Sequence, residues 1–223
     1  MEPVIHYIDW ETVDYQTAWD NQKALFAEKI AAKMRGETPD NDFILCQHRP
    51  VYTLGRHGKA ENMLLSEEQL ALLGATLLRV DRGGDITFHG EGQWTGYPIM
   101  DLEQFHLGLK NYINLLEQLI INVLAQYDIQ GERLQGATGV WIEPHTARAR
   151  KICAIGVRAS RYVTMHGFAL NVNTDLTYFS YINPCGFTDK AVTSMQQECG
   201  KVIDMNEVRD ALFREAEHCF RSI

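Results

Sequence analysis

Apolar residues recur at helical spacing in three long stretches of the chain. Over residues 14–35 they lie three or four positions apart, which predicts an amphipathic helix that ends at the GETPD segment. Residues 109–127 repeat the pattern on one face and predict a second long helix. A third is predicted over residues 204–220, where capping-box spacing precedes an apolar repeat. The same spacing of Ser66 and Gln69 predicts a short helix.

Short apolar or β-rich runs lie between these predicted helices. FILCQ and VYTLG are separated only by HRP and predict a hairpin or strand-turn-strand unit. ATLLRVD and WTGYPIMDL predict strands around a glycine-rich loop, and GVWIE, KICAIGVR and MHGFALNVN predict three more. Long helices packed on a mixed β-sheet give an α/β (α+β) fold class. Because no repeat or linker interrupts the pattern, we expect one domain over residues 1–223.

Composition narrows the classes of protein to which the chain can belong. The chain has 223 residues, is 45% hydrophobic and carries a net charge of -8, which argues against a nucleic-acid partner. No stretch approaches the roughly 20 apolar residues of a membrane span, and the N-terminus lacks the pattern of a signal peptide. The five cysteines are an odd set without a C-x-x-C pair, which indicates free thiols. We therefore expect a cytoplasmic protein with no structural metal.

Basic residues concentrate in one part of this acidic chain. Residues 144–174 contain no aspartate or glutamate, but they include Arg148, Arg150, Lys151, Arg158 and Arg161. Two interpretations stay open at this point: an ordinary solvated pair of strands, or a local docking patch for an acidic partner.

The glycine-rich segment RGGDITFHGEGQ, residues 82–93, directly follows an apolar strand. Glycine lets the backbone approach a ligand closely, and the N–H groups of such a turn can bind a carbonyl oxygen or an anion. The segment matches neither the dinucleotide-binding pattern nor the P-loop pattern. A plain tight turn is the alternative.

Cys185 stands apart from the other cysteines because Pro184 and Gly186 bracket it in INPCGF. These neighbours predict a turn, where a thiol is accessible enough to act as a nucleophile. Cys199, in ECGK, lies on a predicted loop and is the competing candidate. The remaining cysteines lie in apolar or periodic contexts that are typical of inert core residues.

A nucleophilic thiolate needs a basic or positively charged neighbour. Among the eight histidines, His89 in the glycine-rich segment and His166 beside Gly167 have the most suitable contexts. Lys151 opens the apolar run KICAIGV, where partial desolvation would lower the pKa of its amine and fit it for proton transfer. Spacing alone leaves both the Cys/His and the Cys/Lys pairing open.

Taken in order, these segments resemble the octanoyltransferase (LipB) family of lipoate biosynthesis over residues 43–193. RGGDITFHGEGQ is similar to the family signature R-G-G-x-x-T-x-H-G-x-G-Q, and HRPVYTLGR to an earlier substrate-side loop. KICAIGVR, HGFALNVNTDL and NPCG resemble three later family segments. The chain departs from the pattern at Glu91, where proline is common, and at Cys153, where alanine or serine is usual. The resemblance implies a mixed sheet flanked by helices, as in biotin and lipoate ligases.

The resemblance also implies the roles of individual residues. Cys185 would carry the acyl group as a thioester, and Lys151 would activate it. Acyl carrier protein would donate the octanoyl group to the lysine of a lipoyl domain in 2-oxoacid dehydrogenase complexes or the glycine cleavage H protein, with no cofactor. The acyl-binding groove would be lined by three segments: Arg82, Gly83, Gly84, Asp85, Ile86, Thr87, Phe88 and His89; Ala154, Ile155 and Gly156; and Gly167, Phe168 and Ala169.

Three alternatives differ from this function in testable ways. An ATP-dependent lipoate or biotin ligase would share the fold but would have no use for a nucleophilic Cys185, and no G-R-G-R-x-G-R string is present. An amidotransferase would move the acyl group between carrier domains, which the glycine-rich signature disfavours. A non-enzymatic module that binds acyl carrier protein would need neither Lys151 nor Cys185.

Overall fold

The computed structural model describes residues 3–183 and 191–222 as a mixed α/β fold. The strands are β1 (Ile5–Thr12), β2 (Asn41–Gln47), β3 (Val51–Leu54), β4 (Thr76–Arg79), β5 (Ile86–His89), β6 (Gln93–Ile99), β7 (Glu132–Leu134), β8 (Ala137–Ile142), β9 (Arg150–Ser160), β10 (Val163–Asn171) and β11 (Ala191–Val192). The α-helices are α1 (Tyr15–Met34), α2 (Glu67–Leu72), α3 (Leu109–Ala125), α4 (Met195–Cys199) and α5 (Met205–Arg221). The predicted fold class is confirmed.

Two sheets are formed by these strands. The large sheet has the order β1-β2-β6-β10-β9-β8-β7, with β11 paired to β9, and the small sheet has the order β4-β3-β5. The β1–β2, β3–β4 and β9–β11 pairs are parallel, and the others are antiparallel. None of the described helices is long and apolar enough to cross a membrane.

The predicted hairpin of FILCQ and VYTLG is wrong, because its two strands belong to different sheets. β2 is a central strand that pairs with β1 and β6, so both of its edges are occupied. β3 pairs with β4 and β5 in the small sheet. His48 lies between the two strands and is fully buried, with Nδ1 2.8 Å from the Val13 carbonyl oxygen. The HRP segment therefore carries the chain from one sheet to the other.

Capping explains why the predicted helices begin where they do. The Asp14 side chain accepts hydrogen bonds from the first turn of α1, and Asp204 does the same for α5. Ser66 and Gln69 form the complete capping box predicted for α2. α1 ends before Gly36, whose φ of 79° suits the left-handed position that follows a helix.

Helices cover the large sheet on both faces. On β2, Phe43 and Leu45 pack with α3 and α5, whereas Ile44 and Cys46 pack with α1 on the opposite face. The alternation follows from the two-residue period of a strand, and burial on both faces makes residues 43–46 a continuous apolar run. The face that carries α1 also carries the cavity described below.

We expect Gly96→Ala to destabilise the fold, because β6 and β10 leave no room for a methyl group there. A Cβ at this position would lie 2.2 Å from Cζ of Phe168, the residue opposite it on β10. Overpacking of this kind costs about 1–3 kcal/mol. Urea unfolding would measure the loss relative to the unaltered protein. A midpoint equal to that of the unaltered protein would contradict this packing.

Candidate functional site

A cavity of about 300 Å³ lies between the α1 face of the large sheet and the small sheet. Its size is at the lower end of the range for small-molecule sites. Most of its wall is apolar, and a few polar groups interrupt it. All but two of the predicted groove residues line this one cavity, together with Lys151: Arg82, Gly84, Asp85, Ile86, Thr87, His89, Ala154, Ile155, Gly156, Gly167, Phe168 and Ala169.

The two exceptions, Gly83 and Phe88, lie outside the cavity wall. The Gly83 N–H donates to the Val157 carbonyl oxygen at 3.0 Å and so fastens the glycine-rich loop to β9. The Phe88 ring stacks on Tyr178 with centroids 4.4 Å apart, inside the core of the small sheet. Alternation along β5 explains the second case, because Thr87 and Phe88 point to opposite faces.

Small residues on β9 and β10 form the floor of the cavity. Ala154 pairs with Ala169, and Gly156 pairs with Gly167. A Cβ on Gly156 would lie 2.7 Å from the carbonyl oxygen of Gly83, so glycine at this position lets the glycine-rich loop approach the sheet. The predicted segments can therefore lie against one another, because glycine and alanine leave room for the neighbouring backbone where the segments contact.

Hydrogen bonds from two charged side chains fix the glycine-rich loop. The Arg82 guanidinium donates to both the hydroxyl and the carbonyl oxygen of Thr53, and also to the Gly83 carbonyl oxygen at 2.9 Å. Asp85 accepts from the Asn62 side-chain amide at 2.7 Å. The loop is thus held by neighbouring segments of the small sheet, which preorganises its backbone beside the cavity.

A buried chain of hydrogen bonds sets the protonation state of His89. Asn171 donates through Nδ2 to the Thr193 carbonyl oxygen, so its Oδ1 must accept from Gln93 Nε2 at 2.9 Å. Gln93 Oε1 then faces His89 Nδ1 at 2.9 Å, which must be the protonated nitrogen. His89 Nε2 faces the hydroxyl of Thr53 at 3.2 Å. Desolvation holds the pKa of His89 well below 6.5, so the ring is neutral with both nitrogens engaged.

Gln93→Leu is expected to lower the free energy of unfolding by at least about 2 kcal/mol. The change leaves the buried His89 Nδ1–H and Asn171 Oδ1 without these partners, and each such loss costs about 1–3 kcal/mol. Chemical denaturation would measure the effect against Gln130→Leu, an exposed position. A difference below 0.5 kcal/mol, the usual size of a surface effect, would refute the role of this chain.

His166 also lines the cavity, and its backbone is strained. Its φ is 60°, in the left-handed region that glycine prefers, and its backbone N–H donates to Gln22 Oε1. Nε2 lies 2.7 Å from Asp81, which also pairs with Arg158. Among the described residues, Nδ1 has no hydrogen-bond partner. Burial lowers the pKa of His166, and the Asp81 carboxylate opposes that shift only in part.

Lys151 lies at the opening of the cavity, next to exposed residues of the turn between β7 and β8. Its Nζ donates to the Thr138 carbonyl oxygen at 3.2 Å and lies 4.6 Å from the centroid of the Trp141 ring. The side chain is half-buried. The Thr138 carbonyl and the Trp141 ring therefore help to position the ammonium in the cavity wall.

A buried carboxylate on α3, which no sequence motif marked, holds the start of β8 beside Lys151. Glu117 accepts from the Gly139 N–H at 3.0 Å and pairs with Arg133 at 3.1 Å. Gly139 has φ 118° and its Cβ would lie 2.5 Å from the Cys153 carbonyl oxygen. Only glycine fits there, directly after the Thr138 carbonyl that Lys151 contacts.

Cys185, the predicted nucleophile, lies outside the described residues. Ile182, three residues before it in the chain, and Ala191, six residues after it, both line the cavity. Cys153 is fully buried, and burial raises the pKa of its thiol. The predicted loop at Cys199 is wrong, because this residue ends α4 and its Sγ lies 3.8 Å from the Tyr127 carbonyl oxygen.

Acidic residues outside the basic stretch 144–174 pair with three of its four arginines. Their carboxylates come from the β8–β9 turn, from α4 and from the residue before the glycine-rich loop, so charge counted along the chain overstated the charge of the surface. The pairs are Arg148 with Glu143 at 2.9 Å, Arg150 with Glu143 at 2.9 Å and Glu198 at 2.6 Å, and Arg158 with Asp81. The interpretation as an ordinary polar surface is favoured over a docking patch.

Several cavity residues were not predicted from the sequence. Tyr15 was assigned only to the apolar face of α1, and Thr95 and Tyr97 only to a strand. Their alternation along β6 could have indicated one shared face, but not which cavity that face lines. Over residues 3–183 and 191–222, no group of three or more histidines, cysteines or carboxylates is placed to hold a metal ion.

The chain is similar to known proteins over most of its length. The sequence model for the lipoyl protein ligase A/B catalytic domain matches residues 14–217. An octanoyltransferase from Bacteroides fragilis is 61% identical over 207 residues, which are 93% of this chain and 94% of that protein.

Two solved structures share the fold at low sequence identity. A bipartite lipoate protein ligase from Thermoplasma acidophilum has a TM-score of 0.72 at 15% identity, covering 98% of this chain and 84% of its own. A biotin protein ligase from Aquifex aeolicus has a TM-score of 0.52 at 12% identity, covering 100% and 71%. The fold, the matched catalytic domain and the identity to the B. fragilis enzyme together show that this chain belongs to the octanoyltransferases of the lipoyl protein ligase A/B family.

Proposed function

We propose that the protein transfers an octanoyl group from acyl carrier protein to the lysine of a lipoyl domain, through a thioester on Cys185. One observation carries the proposal: Lys151 lies in the wall of a largely apolar cavity whose lining also includes Ile182 and Ala191, which precede and follow Cys185 in the chain. An apolar cavity suits an acyl chain, and an ammonium at its opening suits a thiolate.

In the first half-reaction, the Lys151 ammonium stabilises the Cys185 thiolate, which attacks the carbonyl carbon of the donor thioester. The tetrahedral intermediate then expels the sulfur of the phosphopantetheine arm. Lys151 gives its proton to that leaving sulfur, so the acyl-enzyme forms beside a neutral amine. Backbone N–H groups of the glycine-rich loop are the candidates to stabilise the oxyanion.

In the second half-reaction, the amine of the target lysine attacks the Cys185 thioester. The neutral Lys151 amine takes the proton that the attacking nitrogen loses, the amide forms, and Cys185 leaves as a thiolate. Lys151 is then an ammonium again, and the enzyme has returned to its starting state. The same lysine serves as acid in one step and as base in the next.

This sequence of steps needs neither ATP nor a cofactor. The first exchange converts one thioester into another, and the second converts a thioester into a more stable amide. The proposed acceptors are the lipoyl domains of 2-oxoacid dehydrogenase complexes and the glycine cleavage H protein, and the proposed location is the cytoplasm.

The experiment is to incubate the protein with octanoyl-acyl carrier protein in the absence of ATP and to record its intact mass. We expect the mass of one octanoyl group to be added, and peptide mapping to assign it to Cys185. Addition of a lipoyl domain should then remove the adduct and octanoylate the domain. A strict requirement for ATP would instead indicate a ligase.

A further inference from the structure

One row of side chains crosses neighbouring strands on the floor of the cavity. Ala154 on β9 lies opposite Ala169 on β10, which lies opposite Thr95 on β6, which lies opposite Cys46 on β2. Residues directly opposite each other project from the same face of a sheet. The first three line the cavity and the fourth does not. The floor therefore runs across the strands from β9 and ends at β6.

The length of this floor matches a chain of eight carbons. Neighbouring strands are about 4.8 Å apart, so the two spacings between β9 and β6 cover roughly 9–10 Å. An extended octanoyl chain has seven carbon–carbon bonds of about 1.5 Å, each advancing about 1.3 Å, for a length of roughly 9 Å. A chain that enters on the Lys151 side and crosses the strands would end above Thr95.

Three aromatic rings, those of Tyr15, Tyr97 and His48, form a wall at this end of the row. His48 Nε2 lies 3.5 Å from Sγ of Cys46, the next residue across the sheet after Thr95. Tyr97 lies on the same face two residues further along β6, and its hydroxyl is 2.6 Å from His48 Nε2. His48 Nδ1 donates to the Val13 carbonyl oxygen, so Nε2 must accept from Tyr97. The Tyr15 ring lies 5.0 Å from the His48 ring.

The same groups are buried and stay neutral. Tyr15, Tyr97 and His48 are at most 3% exposed. Burial lowers the pKa of His48 to about 4 and raises that of Tyr15 to about 12, so neither ionises near neutral pH. By contrast, Thr138 at the Lys151 end is exposed. The Lys151 end of the cavity thus includes exposed residues, whereas buried aromatic rings bound the Thr95 end.

We infer that Thr95, backed by this aromatic wall, sets the upper limit on the length of the acyl chain that the enzyme accepts. The inference rests on the proposed acyl transfer and adds a specificity-determining residue to it. A longer side chain at this position would shorten the usable floor, and a shorter one would lengthen it.

The test measures kcat/KM for hexanoyl-, octanoyl- and decanoyl-acyl carrier protein with the full chain and two variants. Thr95→Leu should lower the octanoyl value relative to the hexanoyl value by at least about tenfold, the usual size of one-methylene discrimination in an apolar site. Thr95→Ala should raise the decanoyl value relative to the octanoyl value by a similar factor. The two ratios therefore move in opposite directions.

Two further variants separate chain length from other effects. Thr95→Val keeps the shape of the side chain without the hydroxyl, whose contact with Gln93 is long at 3.4 Å. It should keep the ratios of kcat/KM between the three donors at their wild-type values. Val123→Leu adds bulk in the core on the α3 side of the sheet and should leave the ratios unchanged. If Thr95→Leu does not fold, the ratio of the decanoyl to the octanoyl kcat/KM value in Thr95→Ala tests the inference by itself.

A uniform fall with all donors in Thr95→Leu, or unchanged ratios in both variants, would overturn the inference and leave the proposed function intact. Failure of the unaltered protein to accept any of the three donors would overturn the proposed function itself.

Discussion

Lys151→Met is expected to lower the rate of Cys185 acylation by roughly 10²–10⁴-fold, the range for loss of a positioned acid–base group. Methionine keeps an apolar side chain of similar length next to the Trp141 ring, so packing at the opening of the cavity changes little. The variant lacks both the charge that stabilises the thiolate and the proton for the leaving sulfur. Single-turnover mass spectrometry with octanoyl-acyl carrier protein would give the rate.

The matched control is Lys110→Met, which makes the same change at an exposed position on α3. Its acylation rate should equal that of the unaltered protein, and both variants should keep the wild-type melting temperature. An unchanged acylation rate in Lys151→Met would contradict the proposed role of Lys151 and would make the histidines the candidates for proton transfer. His166 would then be tested first, because both ring nitrogens of His89 are engaged whereas His166 Nδ1 has no partner among the described residues.

Local features of the fold were predictable from the sequence. The caps at Asp14, Ser66 and Asp204 are short-range hydrogen bonds, and the apolar period of α3 reflects its own buried face. Such signals need no knowledge of the rest of the chain. They therefore located α1, α2, α3 and α5 to within one or two residues, whereas α4 was not predicted.

Sheet partners were not predictable in the same way, because pairing joins residues far apart in the chain. FILCQ and VYTLG carry the same strand pattern, yet one enters the large sheet and the other the small sheet. Strands β1, β7 and β11 are short or carry weak apolar patterns, and they form by pairing with β2, β8 and β9. Tertiary contacts decided these elements, not local propensity.

The candidate site, too, was predictable where the signal was local and not where it depended on contacts between distant segments. The motifs indicated most of the cavity wall because glycines and alanines mark close approach of backbones. The side chains that position those segments, such as Glu117 beneath Gly139 and Thr53 beneath Arg82, carry no motif of their own. These residues act through contacts between segments that are far apart in the chain. The sequence therefore indicated the residues that line the groove but not those that hold them in position.

Cys185→Ala is expected to abolish the octanoyl adduct and to lower the transfer of octanoyl groups to a lipoyl domain by roughly 10³-fold or more. Alanine removes the sulfur that the proposed mechanism acylates, and loss of a covalent nucleophile leaves only binding and polar stabilisation of the transition state. Intact-mass measurement after incubation with octanoyl-acyl carrier protein would detect the adduct, and a lipoyl domain would report the transfer.

Cys199→Ala is the matched control, because Cys199 is the most exposed of the described cysteines. It should form the adduct at the wild-type rate, since its sulfur lies at the end of α4 and outside the cavity lining. An adduct that persists in Cys185→Ala would have to occupy another nucleophile. Cys153 is a poor substitute although it lies two residues from Lys151, because its thiol is fully buried and burial raises its pKa. The proposed mechanism thus depends on Cys185 alone among the five thiols, and a persistent adduct would contradict it.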